Sequence, residues 1–302
     1  MVTRRDFFKI TGTAAGTAAV ALAGVETAQA RPALDPDRMG VLCDFTFCIG
    51  CRRCEYACAG ENGLPQGALE SYDDKSLLEK TRRPDRQTFT VINRYPALAG
   101  QSGSLDVKVN CLHCEHPACV SACPVSALVK NARGPVTYDA SRCIGCRYCM
   151  VACPFQIPAY EYNEPLTPRV MKCTLCSDRI LAEGGIPACV EICPAETMVY
   201  GTRDALLKVA HDRIRNHPGR YVDHVYGEYE AGGTSWLYLC DRSFQEVDLP
   251  AVANQSPAEV TEAIQHGIFR GFTGPLMVFI LTSVILKSAG KGPGQAREDK
   301  HE

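Results

Sequence analysis

The sequence has no surplus of charge of either sign. Its 302 residues carry 32 basic and 34 acidic side chains, a formal net charge of −2, which leaves no footprint for nucleic acid. It has no Gly-rich nucleotide fingerprint and no nucleophile motif, so nothing marks a catalytic centre of its own. The one place left for a substrate pocket is the polar segment Ala59–Gln87. Length allows one or two domains. What the chain does hold is cysteine: 18 residues, far above ordinary usage, of which 16 fall into four groups.

The third group is the tightest: Cys143-Ile-Gly-Cys146-Arg-Tyr-Cys149-Met-Val-Ala-Cys153-Pro154. Three cysteines three residues apart wrap a short loop around one centre, and the loop is too tight for the fourth to join them. In two-cluster ferredoxins the cysteine before proline serves the other cluster, so such a run implies a partner. The others are Cys48, Cys51, Cys54, Cys58; Cys111, Cys114, Cys119, Cys123; and the looser Cys173, Cys176, Cys189, Cys193. Disulfides pair poorly when three cysteines stand a turn apart. Zinc favours two separated C-x-x-C pairs per site. Iron–sulfur ligation explains both the triplets and the remote fourth cysteine, and four groups suffice for four 4Fe–4S clusters. The chain reads as an electron wire.

Thiolates on four such clusters would add about −8 to the charge. Arg52, Arg53, Arg142, Arg147 and Lys172 stand near the groups to offset it and tune potentials, with solvated surface charge as the plainer reading. His113 and His116 lie in the second group. Four cysteines are already present there, so His113 reads as a hydrogen-bonding or packing residue rather than a ligand.

At the N-terminus, Arg4-Arg5-Asp6-Phe7-Phe8-Lys9, a weakly apolar run and Ala28-Gln29-Ala30 read as a cleavable twin-arginine signal peptide over residues 1–30. That route exports proteins already folded. A four-cluster domain then spans 31–249. Strands are expected at Gly40–Phe45, Thr88–Tyr95, Ser104–Val109, Tyr221–Tyr226 and Ser235–Cys240, with a hairpin from Ala127 to Asp139. Residues of about 59–105 form an insertion, and 202–245 an additional helix and hairpin. Cys43 and Cys240 fall outside the spacing and read as structural residues, with a mutual disulfide as the alternative. A linker at 250–263 leads to a single membrane span at 264–289 and a cytoplasmic tail at 290–302. The uncharged core of that span, Gly271–Leu286, is about 24 Å long against a hydrocarbon layer of ~30 Å, bracketed by Arg270 and Lys287. A helix buried against partner subunits is the rival reading.

With these motifs in place, the chain resembles the ferredoxin-type iron–sulfur subunits of membrane-bound respiratory oxidoreductases. Within them it looks most like the accessory iron–sulfur subunit of hydrogenase-2 type nickel–iron hydrogenases. The likeness covers nearly the whole mature chain, including Pro218-Gly219-Arg220-Tyr221 to Gly232-Gly233-Thr234. It implies an α+β fold of two pseudo-symmetric ferredoxin-like dicluster modules with a C-terminal transmembrane helix. It implies a nested pairing: Cys48, Cys51 and Cys54 with Cys193; Cys173, Cys176 and Cys189 with Cys58; Cys111, Cys114 and Cys119 with Cys153; Cys143, Cys146 and Cys149 with Cys123. Ala59, where the pattern has proline after Cys58, is a departure. The implied function is a non-catalytic relay on the periplasmic face, between a catalytic hydrogenase and a polytopic quinone-reactive membrane protein. The alternative is the β subunit of a formate dehydrogenase or molybdopterin sulfur-compound reductase. A stand-alone carrier would have no need of an anchor.

Overall fold

The computed structural model describes residues 37–98, 103–164 and 166–289. The expected signal peptide and tail lie outside them. Strand β1 (Met39–Asp44) is central to a three-stranded sheet, with β8 (Met198–Thr202) antiparallel on one side and β9 (Trp236–Leu239) parallel on the other. A central strand is covered on both faces, which explains its unbroken apolar run. Val41 and Cys43 join the main core with Phe45, Trp236 and Tyr238. Leu42 faces the other way, with Leu206 and Ala210 of the amphipathic helix Arg203–Asn216 and with Leu237 and Leu239. Asp44 is buried at the strand's end and is offset by Arg213 at 2.9 Å and the Tyr221 hydroxyl at 2.9 Å.

The remaining strands form three hairpins. They are β2 (Thr90–Pro96) with β3 (Ser104–Asn110), β4 (Leu128–Lys130) with β5 (Val136–Tyr138), and the short pair β6 (Ala159–Tyr160) with β7 (Val170–Met171). The fold is thus α+β, with helices of four to nine residues following the cysteine loops: α1 (Arg53–Glu61), α2 (Ala118–Ser121), α3 (Tyr148–Ala152), α4 (Ser177–Glu183) and α5 (Ala188–Glu191). Helix α6 is Arg203–Asn216.

Two expectations need correction. Tyr221–Tyr226 is not a strand. It meets the free edge of β9 only at Tyr226, which bridges to Tyr238, and at Val222, whose N–H donates to Cys240 O at 3.0 Å, before the Gly227 turn leads the chain away. Residues Pro257–Ala289 form one helix, α7, starting inside the expected linker. Among the described residues no helix is long and apolar enough to cross a membrane, so the span over 264–289 is unsupported. The physical reason is the short uncharged stretch, about 24 Å against ~30 Å of hydrocarbon.

The chain divides into two compact units, residues 34–260 and a second that contains the helix from Thr261 onward. All sixteen grouped cysteines lie in the first.

Leu206→Ala tests the packing of α6. Its side chain is almost fully buried, so the cavity should cost about 2–5 kcal/mol. Denaturant unfolding should show this at unchanged iron content.

Candidate metal centres

Each C-x-x-C turn reverses the chain in the same way. The residue before its second cysteine has a left-handed backbone: Gly50 at φ 62°, His113 at 50°, Gly145 at 70° and Leu175 at 55°. In the first and third groups a second left-handed residue follows, Arg52 at 58° and Arg147 at 62°, and starts α1 and α3. Gly50 is required twice over. A Cβ there would stand 2.6 Å from Arg94 Nη2 and Asp106 Oδ2.

The Cys-Pro ends repeat as well. Ser126, Gln156 and Glu196, three residues after Cys123, Cys153 and Cys193, all have positive φ. Each donates its N–H to the carbonyl of its cysteine, at 3.3, 3.0 and 3.2 Å. Cys58 differs because Ala59 follows it. Without proline the helix runs on, Cys58 stays inside α1, and Asn62 Nδ2 reaches its Sγ at 3.6 Å and its carbonyl at 2.8 Å.

These turns bring the thiols into neighbouring sets. Cys48, Cys51, Cys54 and Cys193 line one cavity, together with Cys43 and Lys108. Cys58 lies in the field of Cys173, Cys189 and Cys176. Cys114 lies in that of Cys111, Cys153 and Cys119. Cys149 lies in that of Cys146, Cys143 and Cys123. The sets also adjoin one another: Cys54 feels Cys189, Cys173 feels Cys111, and Cys119 feels Cys149. Packing agrees: Cys58, Cys173 and Cys111 share one cluster of side chains, and Cys119, Cys123, Cys143 and Cys149 another, so the sets follow one another as first group, fourth, second, third.

All eighteen cysteines are free thiols, so the Cys43–Cys240 disulfide is not formed. Cys43 is buried in the main core as expected, and it also lines the cysteine cavity. Among the described residues no group of three or more His, Cys, Asp or Glu closes tightly enough to hold a single metal ion.

Burial pushes the thiols of Cys48, Cys119 and Cys173 up to about 12, and neighbouring thiols push the same way. Cys58 and Cys114 are also raised well above the ordinary value, by burial first and by nearby cysteines next, and Cys54 by burial first, with Lys108 opposing and Glu55 and Cys189 adding. Four such thiols ionise together only around a positive centre. Backbone N–H groups prepare for that charge. Cys123 is the clearest case: burial raises it, yet the N–H groups of Leu128, Val125, Ala127 and Ser126 bring it below the ordinary value, Ala127 at 3.2 Å from Sγ. The donor set, all thiol and bordered by N–H groups, fits iron–sulfur clusters.

The basic residues singled out from sequence fall into different roles. Arg52 is buried and bound to Glu55 at 3.0 Å. Lys172 is buried and donates to the carbonyls of Val136 at 2.7 Å and Cys173 at 3.1 Å. Arg147 lies over the rings of Tyr160 and Tyr162, and Arg142 pairs with Asp139 at the surface. His113 is fully buried, and its Nδ1 accepts from Val136 N–H at 2.9 Å; it ties the second group to the β4–β5 hairpin. Segment 59–87 is more than a surface insertion. Arg52 donates to Asp74 O, Lys75 to Gly50 O, and Arg82 to the buried Glu55, clamping the first cysteine loop. Lys108 was not foreseen. It is buried on β3 beside the cysteines.

A family model described as a 4Fe-4S dicluster domain matches residues 106–203. A protein from Nitratidesulfovibrio vulgaris is 53% identical over 238 residues, 78% of this chain and 64% of that one. Hydrogenase-2 operon protein HybA of Escherichia coli O157:H7 is 34% identical over 99% of both chains. The iron–sulfur subunit of the nitrate-inducible formate dehydrogenase of E. coli K12 is 32% identical, over 86% of this chain and 88% of that one. This chain belongs to the family of iron–sulfur subunits of oxidoreductase complexes. Such subunits transfer electrons and are not the catalytic subunits of their complexes. The resemblance drawn from the motifs is thus borne out at the level of the family.

Gly50→Ala tests the turn geometry. The strained φ and the 2.6 Å contacts should cost about 1–3 kcal/mol and lower iron content. Thermal unfolding with iron assay measures both.

Proposed function

We propose that this protein is a four-cluster relay on the periplasmic face of the cytoplasmic membrane, passing single electrons between a catalytic subunit and a quinone-reactive membrane protein. The observation that carries it is the unbroken succession of four thiol sets, first to fourth to second to third. Bound 4Fe–4S clusters would supply the one-electron chemistry. The ligand sets are Cys48, Cys51, Cys54 with Cys193; Cys173, Cys176, Cys189 with Cys58; Cys111, Cys114, Cys119 with Cys153; and Cys143, Cys146, Cys149 with Cys123.

The protein's own part is to space, bury and bias these sites. At one end Cys146 is exposed, bordered by exposed apolar side chains that include Ile144, Tyr148 and Val151. At the other, Ile49 and Phe47 are exposed beside Cys48. Large exposed apolar side chains at both ends suit two docking partners. Helix α7 exposes Leu276, Met277, Phe279 and Leu286, which suits docking against helices of the membrane partner. Full-length similarity to HybA favours a nickel–iron hydrogenase as the catalytic partner. A formate dehydrogenase or molybdopterin sulfur-compound reductase is the second reading, favoured by the similarity to the formate dehydrogenase subunit. The twin-arginine pattern at Arg4-Arg5 supports export.

Anaerobic iron and sulfide assay of the complex should give about sixteen of each per chain. Zinc, or oxidised cysteines without metal, would overturn the reading. Cys193→Ser should lower iron toward about twelve if its cluster is lost whole, and remove one spectroscopic signal; loss of a cluster other than that of Cys48, Cys51 and Cys54 would refute the pairing. Protease added to spheroplasts should degrade the four-cluster domain, and full protection would refute the periplasmic placement.

A further inference from the structure

Lys108 is a buried cation without a buried anion of the usual kind. Its side chain is 2% exposed. Its Nζ donates to Asn110 Oδ1 at 2.8 Å and to Thr90 Oγ1, and lies 4.6 Å from the centroid of the Trp236 ring. Two oxygens and a ring face take up the three N–H bonds of an ammonium. All three partners are uncharged. Among the described residues no salt bridge joins Lys108 to a carboxylate, whereas Arg52 has Glu55 at 3.0 Å and Lys130 has Glu115 at 3.2 Å.

A buried ammonium without a counter-charge is costly. The groups able to supply that charge are thiols: Cys189 and Cys54 act on Lys108 most, followed by Cys173 and Cys58. They come from two different sets. Lys108 also lines the cavity shared by Cys48, Cys51, Cys54 and Cys193. It stands beside both.

We propose that Lys108 is a positioning residue for charge, a fixed buried cation shared by the Cys48–Cys193 and Cys173–Cys58 sets that raises the midpoint potential of both. The inference rests on the cluster-bearing reading above. Adding one electron to either site adds one negative charge, and no proton need follow because the ammonium already offsets it. Coulomb attraction in a dry interior falls with distance, so the third-group set, at the far end of the succession, is affected least.

The test is anaerobic potentiometry followed by electron paramagnetic resonance on the intact complex, with dithionite as reductant. Lys108→Met and Lys108→Gln should move two couples to lower potential. At a fixed solution potential their reduced-to-oxidised ratio should fall about tenfold, or about 59 mV for a one-electron couple. The couple of the third-group set should stay in place, and Lys108→Arg should restore the other two. Unchanged potentials at full iron content overturn the proposal, as does an equal shift of all four. If the neutral variants lose iron, Asn110→Asp sets a carboxylate against the ammonium. It should lower the same two potentials, with the second-group couple beside Cys111 moving as well, and no shift of the first two at full iron overturns the proposal. A wild-type protein without about sixteen iron would instead refute the cluster reading itself, so the two failures are distinct.

Discussion

Everything in this fold follows from one backbone constraint: a chain must reverse within three residues to turn two cysteines toward one centre. Four C-x-x-C turns meet it with a left-handed residue before the second cysteine. Two use glycine, which adopts that conformation freely. Two use His113 and Leu175, for which it is strained, and burial compensates. His113 is pinned by Val136 N–H, and Leu175 is locked in the main core. The strain is local and sits where metal binding would repay it.

The second constraint is charge. Sixteen thiols in one domain are hostile to one another and to burial unless positive centres and N–H dipoles meet them. The Cys-Pro turns answer part of this, since after Cys123 and Cys153 successive N–H groups act on the sulfur. The Cys123 thiol, lowered although burial opposes it, shows the effect most clearly. Cys58 has no such turn. It relies on the helix and on Asn62, which is how a chain with alanine after that cysteine keeps its fourth thiol in place.

Spacing alone revealed the cysteine groups. The left-handed His113 and Leu175 were not legible, because nothing in their side chains asks for that backbone. Strand β3 was expected, but its burial was not legible. Leu105, Val107 and Val109 alternate with Asp106, Lys108 and Asn110, the pattern of a sheet with one wet face. In the fold both faces are buried: Asp106 is held by Arg94 at 2.8 Å and Lys108 by Asn110 and Thr90. A polar face turned inward looks the same in sequence as one turned outward. The terminal helix shows the reverse problem. Its apolar run was visible, but the medium it faces is not a property of the run, and at about 24 Å its length is marginal for crossing a membrane.

The buried basic residues then divide by what offsets them. Lys130 shares Glu115 with Arg38, and Arg52 shares Glu55 with Arg82, so a carboxylate offsets part of the field of each. Lys172 is met by two carbonyl dipoles and Lys108 by neutral partners alone, so these two keep their positive charge uncancelled inside the domain. Lys108 serves the buried half of the succession. The third-group set, with Cys146 exposed, has water to stabilise added charge instead. A chain of redox sites that differ in exposure would differ steeply in potential if burial acted alone. Placing an uncancelled cation where water is absent narrows that difference, and a relay works best when no site along it is a deep trap or a high step.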